Sequence, residues 1–316
     1  ASTRDFQNGD AAMSNKRPAF VWSPDYEIDI GKHVFPTSKF RRLKEAAVAA
    51  GLAREDEVER APRATDAELL TVLSPEYLAD LRTYKHTART MRSELPITRQ
   101  IVESMVVTAG GTILAARRAL ERGGACHFGG GYHHAFADHA EGFCYINDIA
   151  VAARVLLGEG AVRRIAVIDT DVHQGNGTAG IFEGDPSVFT FSIHEQNLYP
   201  FEKQRSSLDI GLPANPGQDV YLVELDRGVI AALDVFRPDL LICAAGVDPF
   251  EGDQLGRLRL TKETMRRRDE VVLQRAVALG IPFVTVVSGG YATRLEDTIG
   301  LHAQTVAVAM EAMRNG

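Results

Sequence analysis

Residues 163–177 read RRIAVIDTDVHQGNG, a strand-like apolar run that ends in a cluster of polar residues. Asp169 closes the run, and Asp171 and His173 follow at intervals of two residues. Side chains of an extended chain alternate with period two, so these three side chains would point to the same side. Burying them together would cost several kcal/mol unless a cation or hydrogen bonds compensate the charge. The pattern therefore indicates a buried strand that ends at a cation site.

Predicted strands and helices alternate along the rest of the chain. Runs that are apolar on both faces predict further buried strands at ACHF (125–128), VFTFSI (188–193), LLICAAG (240–246) and FVTVVSGG (283–290). Amphipathic stretches of helical length occur at 102–121, 147–157, 219–236, 261–279 and 296–313. This alternation predicts an α/β fold, with helices on both faces of a parallel sheet.

A polar loop follows each of these predicted strands. The loops are GGGYHH (129–134), DTDVHQGNG (169–177), HEQNLYP (194–200), VDPFEGD (247–253) and SGGY (288–291). In parallel α/β sheets, ligands bind beyond the carboxyl ends of the strands, on the loops that follow them. We therefore expect the five loops to meet at one rim and to form the functional site.

Asp248 follows a separate strand and can join Asp171 and His173 around one divalent metal ion. Three protein ligands leave positions for water and substrate, which is typical of a catalytic site. Two carboxylates and an imidazole suit zinc, and also iron or manganese. Taken alone, Asp248 would more simply cap the helix that follows it. The combination with the DxDxH cluster favours the metal.

The remaining loops offer groups for proton transfer and for a channel. His133 or His134 could take a proton from water, because a metal lowers the pKa of bound water to roughly 7, close to that of histidine. The Tyr291 hydroxyl could donate to a developing oxyanion, although a Gly-Gly-Tyr turn is often only a turn. Phe143 and Tyr199 are core aromatics by default, but at the rim they would form the walls of a channel for an alkyl chain.

Composition limits the protein classes to consider. The 316 residues are 45% hydrophobic and carry a net charge of −7, so binding to nucleic acid or to an anionic membrane surface is not expected. We expect one catalytic domain over residues 13–316, with a tag remnant or a disordered leader at residues 1–12. Three dispersed cysteines and the lack of a long apolar run predict a cytoplasmic protein without disulfides or membrane spans.

Four separated motifs resemble those of the zinc-dependent histone deacetylases and their bacterial relatives. They are GGGYHHAFADHAEGFCYINDIAVAA (129–153), DTDVHQGNG (169–177), AAGVDPFEGDQLG (244–256) and SGGY (288–291). The resemblance runs in family order from about residue 20 to the C-terminus. VVTAGGTILAARRALERG (106–123) and the DPFEGDQLG form are most similar to the class IV branch, the histone deacetylase eleven-like proteins.

This resemblance implies a fold, a reaction and a metal. The fold is the arginase/deacetylase fold, an open parallel α/β sheet of about eight strands. The reaction is hydrolysis of N-acyl-lysine amides, so an acyl-lysine peptide or protein, or a small acylated amine, would be the binding partner. Zinc, with Fe²⁺ as a second choice, would be held by Asp171, His173 and Asp248.

The resemblance also implies roles for residues around the metal. His133 and His134 would be the tandem histidines, with His134 the general base and acid, and Tyr291 the catalytic tyrosine. Asp169 would hydrogen-bond His133. Asn176 stands where class I enzymes have an aspartate beside the second histidine, so we expect a lower pKa for His134 than in that class.

Two further sets of residues follow from the resemblance. A structural K⁺ or Na⁺ ion would be bound near Asp169, Asp171, His173, Ser192 and Ile193. The lining of the acyl-lysine tunnel would include Gly142, Phe143 and Tyr199, with Leu255 at its mouth.

Three alternative functions differ in substrate or chemistry. A cationic acetylpolyamine would favour an acidic gate, and Leu255 argues against one, although Glu251 and Asp253 are close by in the sequence. Arginase-like chemistry needs a DxD pair for a second metal, whereas Asp248 and Asp253 are five residues apart. A catalytically silent binder of acyl-lysine would not need the full set of ligands and acid–base groups.

Overall fold

The computed structural model describes residues 17–316, and the predicted leader at residues 1–12 lies outside them. Within this range eight strands form one sheet in which every neighbouring pair is parallel. The strands are β1 (Ala19–Trp22), β2 (Val58–Arg60), β3 (Gly124–His127), β4 (Ile165–Asp169), β5 (Val188–Glu195), β6 (Leu208–Leu212), β7 (Leu240–Ala244) and β8 (Phe283–Val286). Their order is β2-β1-β3-β8-β7-β4-β5-β6, which confirms the predicted parallel α/β fold.

Most of the α-helices that the structure describes pack against one another in two groups around the sheet. The α-helices are α1 (Lys39–Ala49), α2 (Asp66–Leu69), α3 (Pro75–Arg82), α4 (Arg99–Arg122), α5 (Asp148–Gly158), α6 (Asn176–Phe182), α7 (Gln218–Val229), α8 (Lys262–Ala278) and α9 (Leu295–Asn315). In one group α4 packs on α5, and α5 packs on α2 and α6; in the other α1 packs on α9, α9 on α8 and α8 on α7. Strands β3, β4, β7 and β8 are fully buried between the layers, as expected for a parallel sheet.

Local signals in the sequence set the ends of the long helices. The side chains of Thr98, Asn147 and Thr261 accept a hydrogen bond from a backbone N–H in the first turn of α4, α5 and α8 respectively. Gly123 adopts φ 91° and ends α4 in the left-handed conformation that glycine tolerates best. The predicted helix at 219–236 is α-helical only as far as Val229 and continues as a π-helical turn over Ile230–Val235.

Two predicted strands are shorter than their apolar runs. The runs at 240–246 and 283–290 leave the sheet after Ala244 and Val286, and the residues that follow form loops at the rim. These are the loops that contain Asp248 and Tyr291. No helix within the described range combines the length and the apolar character needed to cross a bilayer.

Candidate active site

The three predicted metal ligands meet at the rim of the sheet. Asp171 and His173 lie after β4, and Asp248 lies after β7, the strand that pairs with β4. One ligand atom from each residue lies within 4.8 Å of the others, and all three residues are buried. His173 Nδ1 is 3.0 Å from Asp171 Oδ1 and 3.2 Å from Asp248 Oδ2. Neighbouring parallel strands thus bring two distant loops to one point.

The donor set fits a divalent cation. Asp171 Oδ2 accepts hydrogen bonds from the Ser288 hydroxyl (2.9 Å) and the Gly289 N–H (2.8 Å). Asp248 Oδ1 accepts one from the Val172 N–H (2.9 Å), but Asp248 Oδ2 is buried and makes no hydrogen bond of acceptable geometry. Burial and the nearby Asp171 raise the pKa of Asp248 to about 7. A positive charge between the carboxylates would compensate this orphaned oxygen.

Glycine at two positions allows the backbone to approach the metal-ligand carboxylates. A Cβ on Gly289 would lie 2.1 Å from Asp248 Oδ2 and 2.5 Å from Asp171 Oδ2. A Cβ on Gly246 would lie 2.3 Å from Asp171 Oδ2. Any side chain at either position would push the carboxylates apart, so the AAGVD and SGGY motifs carry glycine for steric reasons.

The tandem histidines pair with different partners through the same ring nitrogen. His133 Nδ1 is 2.6 Å from Asp169 Oδ2, and His134 Nδ1 is 2.6 Å from Asn176 Oδ1. The glycine-rich loop before them is fixed by Asp148, which accepts hydrogen bonds from the backbone N–H groups of residues 131 and 132. Each imidazole therefore keeps its Nε2 for the site.

The pKa values of the two histidines are shifted in opposite directions. Burial opposes the protonation of His133, but Asp169 and Asp171 outweigh it and raise the pKa of His133 to about 9. Burial and the neighbouring His133 and His173 lower the pKa of His134 well below its usual value. His134 is thus the neutral imidazole of the pair at neutral pH.

A cavity of about 230 Å³ opens above these groups. Its lining comprises Glu94, His133, His134, Gly142, Phe143, His173, Leu198, Tyr199, Leu255 and Tyr291. All four residues expected in a tunnel are among them. Its walls are aromatic, since the Phe143 ring centroid is 6.2 Å from that of Tyr291 and the Tyr199 centroid is 5.1 Å from that of His134.

Tyr291 is held in place by Asp253. Asp253 Oδ2 accepts a hydrogen bond from the Tyr291 N–H (2.6 Å), and Oδ1 accepts from the N–H groups of Leu255 (2.8 Å) and Gly256 (3.1 Å). Asp253 therefore connects two rim loops instead of forming an acidic gate. Burial raises the pKa of Tyr291 well above its usual value, and the nearby Asp248 adds to the shift. The phenol thus keeps its proton at neutral pH.

The residues expected around a monovalent ion lie side by side on β4 and β5. Asp169 is the register partner of Ser192, and Ile193 follows it. Asp169 Oδ1 accepts a hydrogen bond from the Asp171 N–H (3.1 Å), and Ser192 Oγ lies 3.0 Å from His194 Nδ1. The monovalent ion itself stays a prediction.

Two residues at the site carry no signal that sequence reasoning could use. Lys39 is fully buried, donates from Nζ to the Ser288 carbonyl (2.6 Å) and lies 5.5 Å from the Tyr291 ring centroid. Burial lowers the pKa of Lys39 to about 8. Glu94, in the left-handed conformation (φ 63°), supplies an acidic group to the pocket from a loop before α4. The distance of these residues along the chain from the motifs explains why they were missed.

Residues 33–306 match the family description "Histone deacetylase domain". The chain belongs to the histone deacetylase family. A "Histone deacetylase-like amidohydrolase" of Pseudomonas aeruginosa is 31% identical over 83% of this chain and 73% of its own length. This relative supports the predicted reaction class, hydrolysis of an amide. Histone deacetylase 2 of Arabidopsis thaliana is 32% identical over 86% of this chain and 74% of its own length. An uncharacterized protein of Picosynechococcus sp. is 40% identical over 90% and 95%.

Solved structures support the same fold. A crystal structure of an HDAC homolog complexed with SAHA superposes with a TM-score of 0.80 at 22% identity, covering 94% of this chain and 84% of that one. The acetylpolyamine aminohydrolase of Burkholderia pseudomallei superposes with a TM-score of 0.77 at 22% identity, covering 92% and 98%. The predicted arginase/deacetylase fold is thereby confirmed.

Proposed function

We propose that this member of the family is a zinc-dependent hydrolase of N-acyl-lysine amides in peptides or proteins. The observation that carries the proposal is the convergence of three kinds of group on one narrow, aromatic-walled pocket. These are the buried ligand set with its orphaned Asp248 oxygen, the neutral His134 and the protonated Tyr291. This combination serves hydrolysis of an amide on a long apolar arm better than it serves binding alone.

Asp171, His173 and Asp248 would hold the zinc ion, with Fe²⁺ as the second choice. When bound, zinc would supply Lewis-acid polarisation of the amide carbonyl and a lower pKa for water. The hydrogen bonds from Ser288 and Gly289 keep the Asp171 carboxylate oriented before any metal arrives.

His134 moves the proton in this proposal. Its Nδ1 is engaged with Asn176, so its Nε2 takes the proton of the attacking water. As the carbon–nitrogen bond of the amide breaks, the same Nε2 gives that proton to the departing lysine amine. Asp169 holds His133 through its Nδ1 and, together with Asp171, raises the pKa of His133.

Tyr291 stabilises the oxyanion that forms on the carbonyl oxygen. Its hydroxyl is protonated at neutral pH, and Asp253 fixes its backbone, so the donor needs little reorganisation. Phe143 and Tyr199 enclose the aliphatic arm of the lysine and exclude water, with Gly142 and Leu255 completing the tunnel.

Further assignments belong to the same proposal. We place the protein in the class IV-like branch on the resemblance of VVTAGGTILAARRALERG and of the DPFEGDQLG form. A K⁺ or Na⁺ ion would lie near Asp169, Ser192 and Ile193. Cys126, Cys144 and Cys243 are buried free thiols, which suits a reducing cytoplasm.

Hydrolysis of acetylated polyamines is the second candidate. The Glu94 carboxylate lines the pocket and could attract a cationic amine, whereas Leu255 at the same mouth is apolar. The single acidic group gives this candidate its support.

Initial hydrolysis rates would separate the candidates. Matched lysine peptides carrying acetyl, octanoyl and myristoyl groups are compared with acetylspermidine on the zinc-loaded protein. We expect at least one peptide to be hydrolysed faster than acetylspermidine, and the ranking gives the preferred acyl length. A faster rate on acetylspermidine would favour the second candidate. No hydrolysis of the three peptides would reject the acyl-lysine proposal.

A further inference from the structure

A buried carboxylate lies one side chain beyond the pair formed by His134 and Asn176. Asn176 Oδ1 is 2.6 Å from His134 Nδ1, and Asn176 Nδ2 donates a hydrogen bond to Glu141 Oε1 at 2.7 Å. Glu141 is only 7% exposed. The three side chains thus form a chain of hydrogen bonds that starts at the pocket and ends at an acidic group.

This chain determines how the Asn176 amide is oriented. An amide offers a donor at one end and an acceptor at the other, whereas an ionised carboxylate only accepts. Glu141 therefore requires the NH₂ group of Asn176, and the amide oxygen must face His134. An acceptor at Nδ1 in turn requires the N–H on that nitrogen, which leaves the lone pair of His134 on Nε2, towards the pocket.

The surroundings of Glu141 keep it ionised. Its Oε2 is 2.8 Å from the Arg92 guanidinium and 3.6 Å from His139 Nε2. Burial alone would raise the pKa of Glu141, but the nearby His139, the hydrogen bond from Asn176 and the charge of Arg92 lower it below its usual value, with a further contribution from Tyr199. Four groups on separate segments thus maintain a negative charge at this position.

We propose that Glu141 is a positioning residue that sets the Nδ1–H tautomer of His134 through the Asn176 amide. The resemblance implies that class I enzymes have an aspartate directly beside the second histidine. Here the negative charge lies one side chain further away, on Glu141. The inference rests on the proposed function in one respect, because His134 must act there as the acid–base group. The tautomer itself is a property of the protein without substrate.

The main test removes the carboxylate. Glu141→Met fills the space but cannot accept a hydrogen bond, so the Asn176 amide loses its preferred orientation. We expect kcat on the best acyl-lysine peptide to fall about 10- to 100-fold with KM changed less than about twofold, as is usual when the partner that orients a functional histidine is lost. Glu76→Gln removes an exposed carboxylate from α3, away from this network, and should leave both parameters unchanged.

A second substitution separates orientation from general stability. In the double variant Glu141→Met/Asn176→Asp, an aspartate accepts directly from His134 Nδ1. We therefore expect kcat to be at least tenfold higher than in Glu141→Met, up to the value of the unmodified protein. Glu141→Ser serves in place of Glu141→Met if the latter does not fold, since serine tolerates water and is too short to reach Asn176. A kcat within twofold of the unmodified protein in the single variant, or no recovery in the double variant, would overturn the inference.

Nitrogen-15 chemical shifts of the His134 ring give a readout that is independent of turnover. We expect a protonated Nδ1 and an unprotonated Nε2 in the zinc-loaded unmodified protein, and a mixed or reversed pattern after Glu141→Met. The same pattern in both proteins would refute the role of Glu141. If the unmodified protein hydrolyses no acyl-lysine peptide, the proposed function fails, and these shifts still decide the tautomer.

Discussion

Two adjacent histidines acquire different proton affinities from burial and from the charged groups around them. His133 faces the Asp169 carboxylate, and its pKa rises to about 9. His134 faces the uncharged Asn176 amide, and burial together with the nearby His133 and His173 lowers its pKa well below the usual value. At the scale of single residues, nearby charges and burial thus give the two imidazoles different proton affinities, and His134 is the one that is neutral and can accept a proton.

The phenol of Tyr291 provides a direct test at the residue scale. Tyr291→Phe removes one oxyanion donor and leaves the ring, so kcat should fall by roughly two to three orders of magnitude while KM changes little. Steady-state kinetics on an acyl-lysine peptide would show this, with the bound zinc measured to verify an intact metal site. Near-full turnover of the variant would exclude the proposed role.

The carboxyl ends of neighbouring strands bring the metal ligands together at the scale of elements. β4 and β7 are paired in register, so the loops after Asp169 and Ala244 leave the sheet side by side. The loop after β8 completes the site because Gly289 can approach both carboxylates. The geometry of the ligands therefore depends on backbone that contributes no ligand.

Gly289→Ala tests this dependence. The added methyl would lie 2.1 Å from Asp248 Oδ2, so the carboxylate must move, and we expect zinc affinity to fall roughly tenfold or more. Competition titration against a zinc indicator measures the change. Gly300→Ala in α9 is the matched control, because a Cβ there meets no atom within 4 Å. Equal zinc affinity of both variants would show that the loop has room for a side chain.

Across the whole molecule, features with a local sequence signal were predictable and contacts between distant segments were not. The DxDxH cluster and the long helices were predictable because their signals are local, and the resemblance supplied the order of the loops. The contacts of Lys39 with Ser288 and of Glu141 with Asn176 join segments far apart in sequence, so no local pattern indicates them. β2 and β6 were missed because they are the edge strands of the sheet and include exposed residues, so they lack the continuous apolar run that marks a buried strand. β1 was also missed.

Acid sensitivity of the fold is a prediction for the whole molecule. Burial lowers the pKa of His127 to about 3, and its ring is hydrogen-bonded to Tyr26 and Thr112. The unfolded chain binds a proton below about pH 6.5 while the folded chain does not, so His127 makes stability fall as pH drops from about 6.5 towards 3.

Urea unfolding at several pH values would measure this contribution. Between pH 6 and 4 the free energy of unfolding should fall by up to about 1.4 kcal/mol per pH unit from this residue. His127→Asn should remove that part of the slope, in addition to a pH-independent loss from its hydrogen bonds. Identical slopes for the two proteins would show that His127 does not stay neutral in the folded state.

The most direct test of the central claim is a zinc titration of chelated protein that follows metal binding and acyl-lysine peptide hydrolysis together. We predict no hydrolysis without metal, recovery that saturates at one bound zinc per chain at the site, and no recovery for Asp248→Ala. Hydrolysis that persists in the metal-free protein, or that recovers equally in Asp248→Ala, would contradict a metal site formed by Asp171, His173 and Asp248.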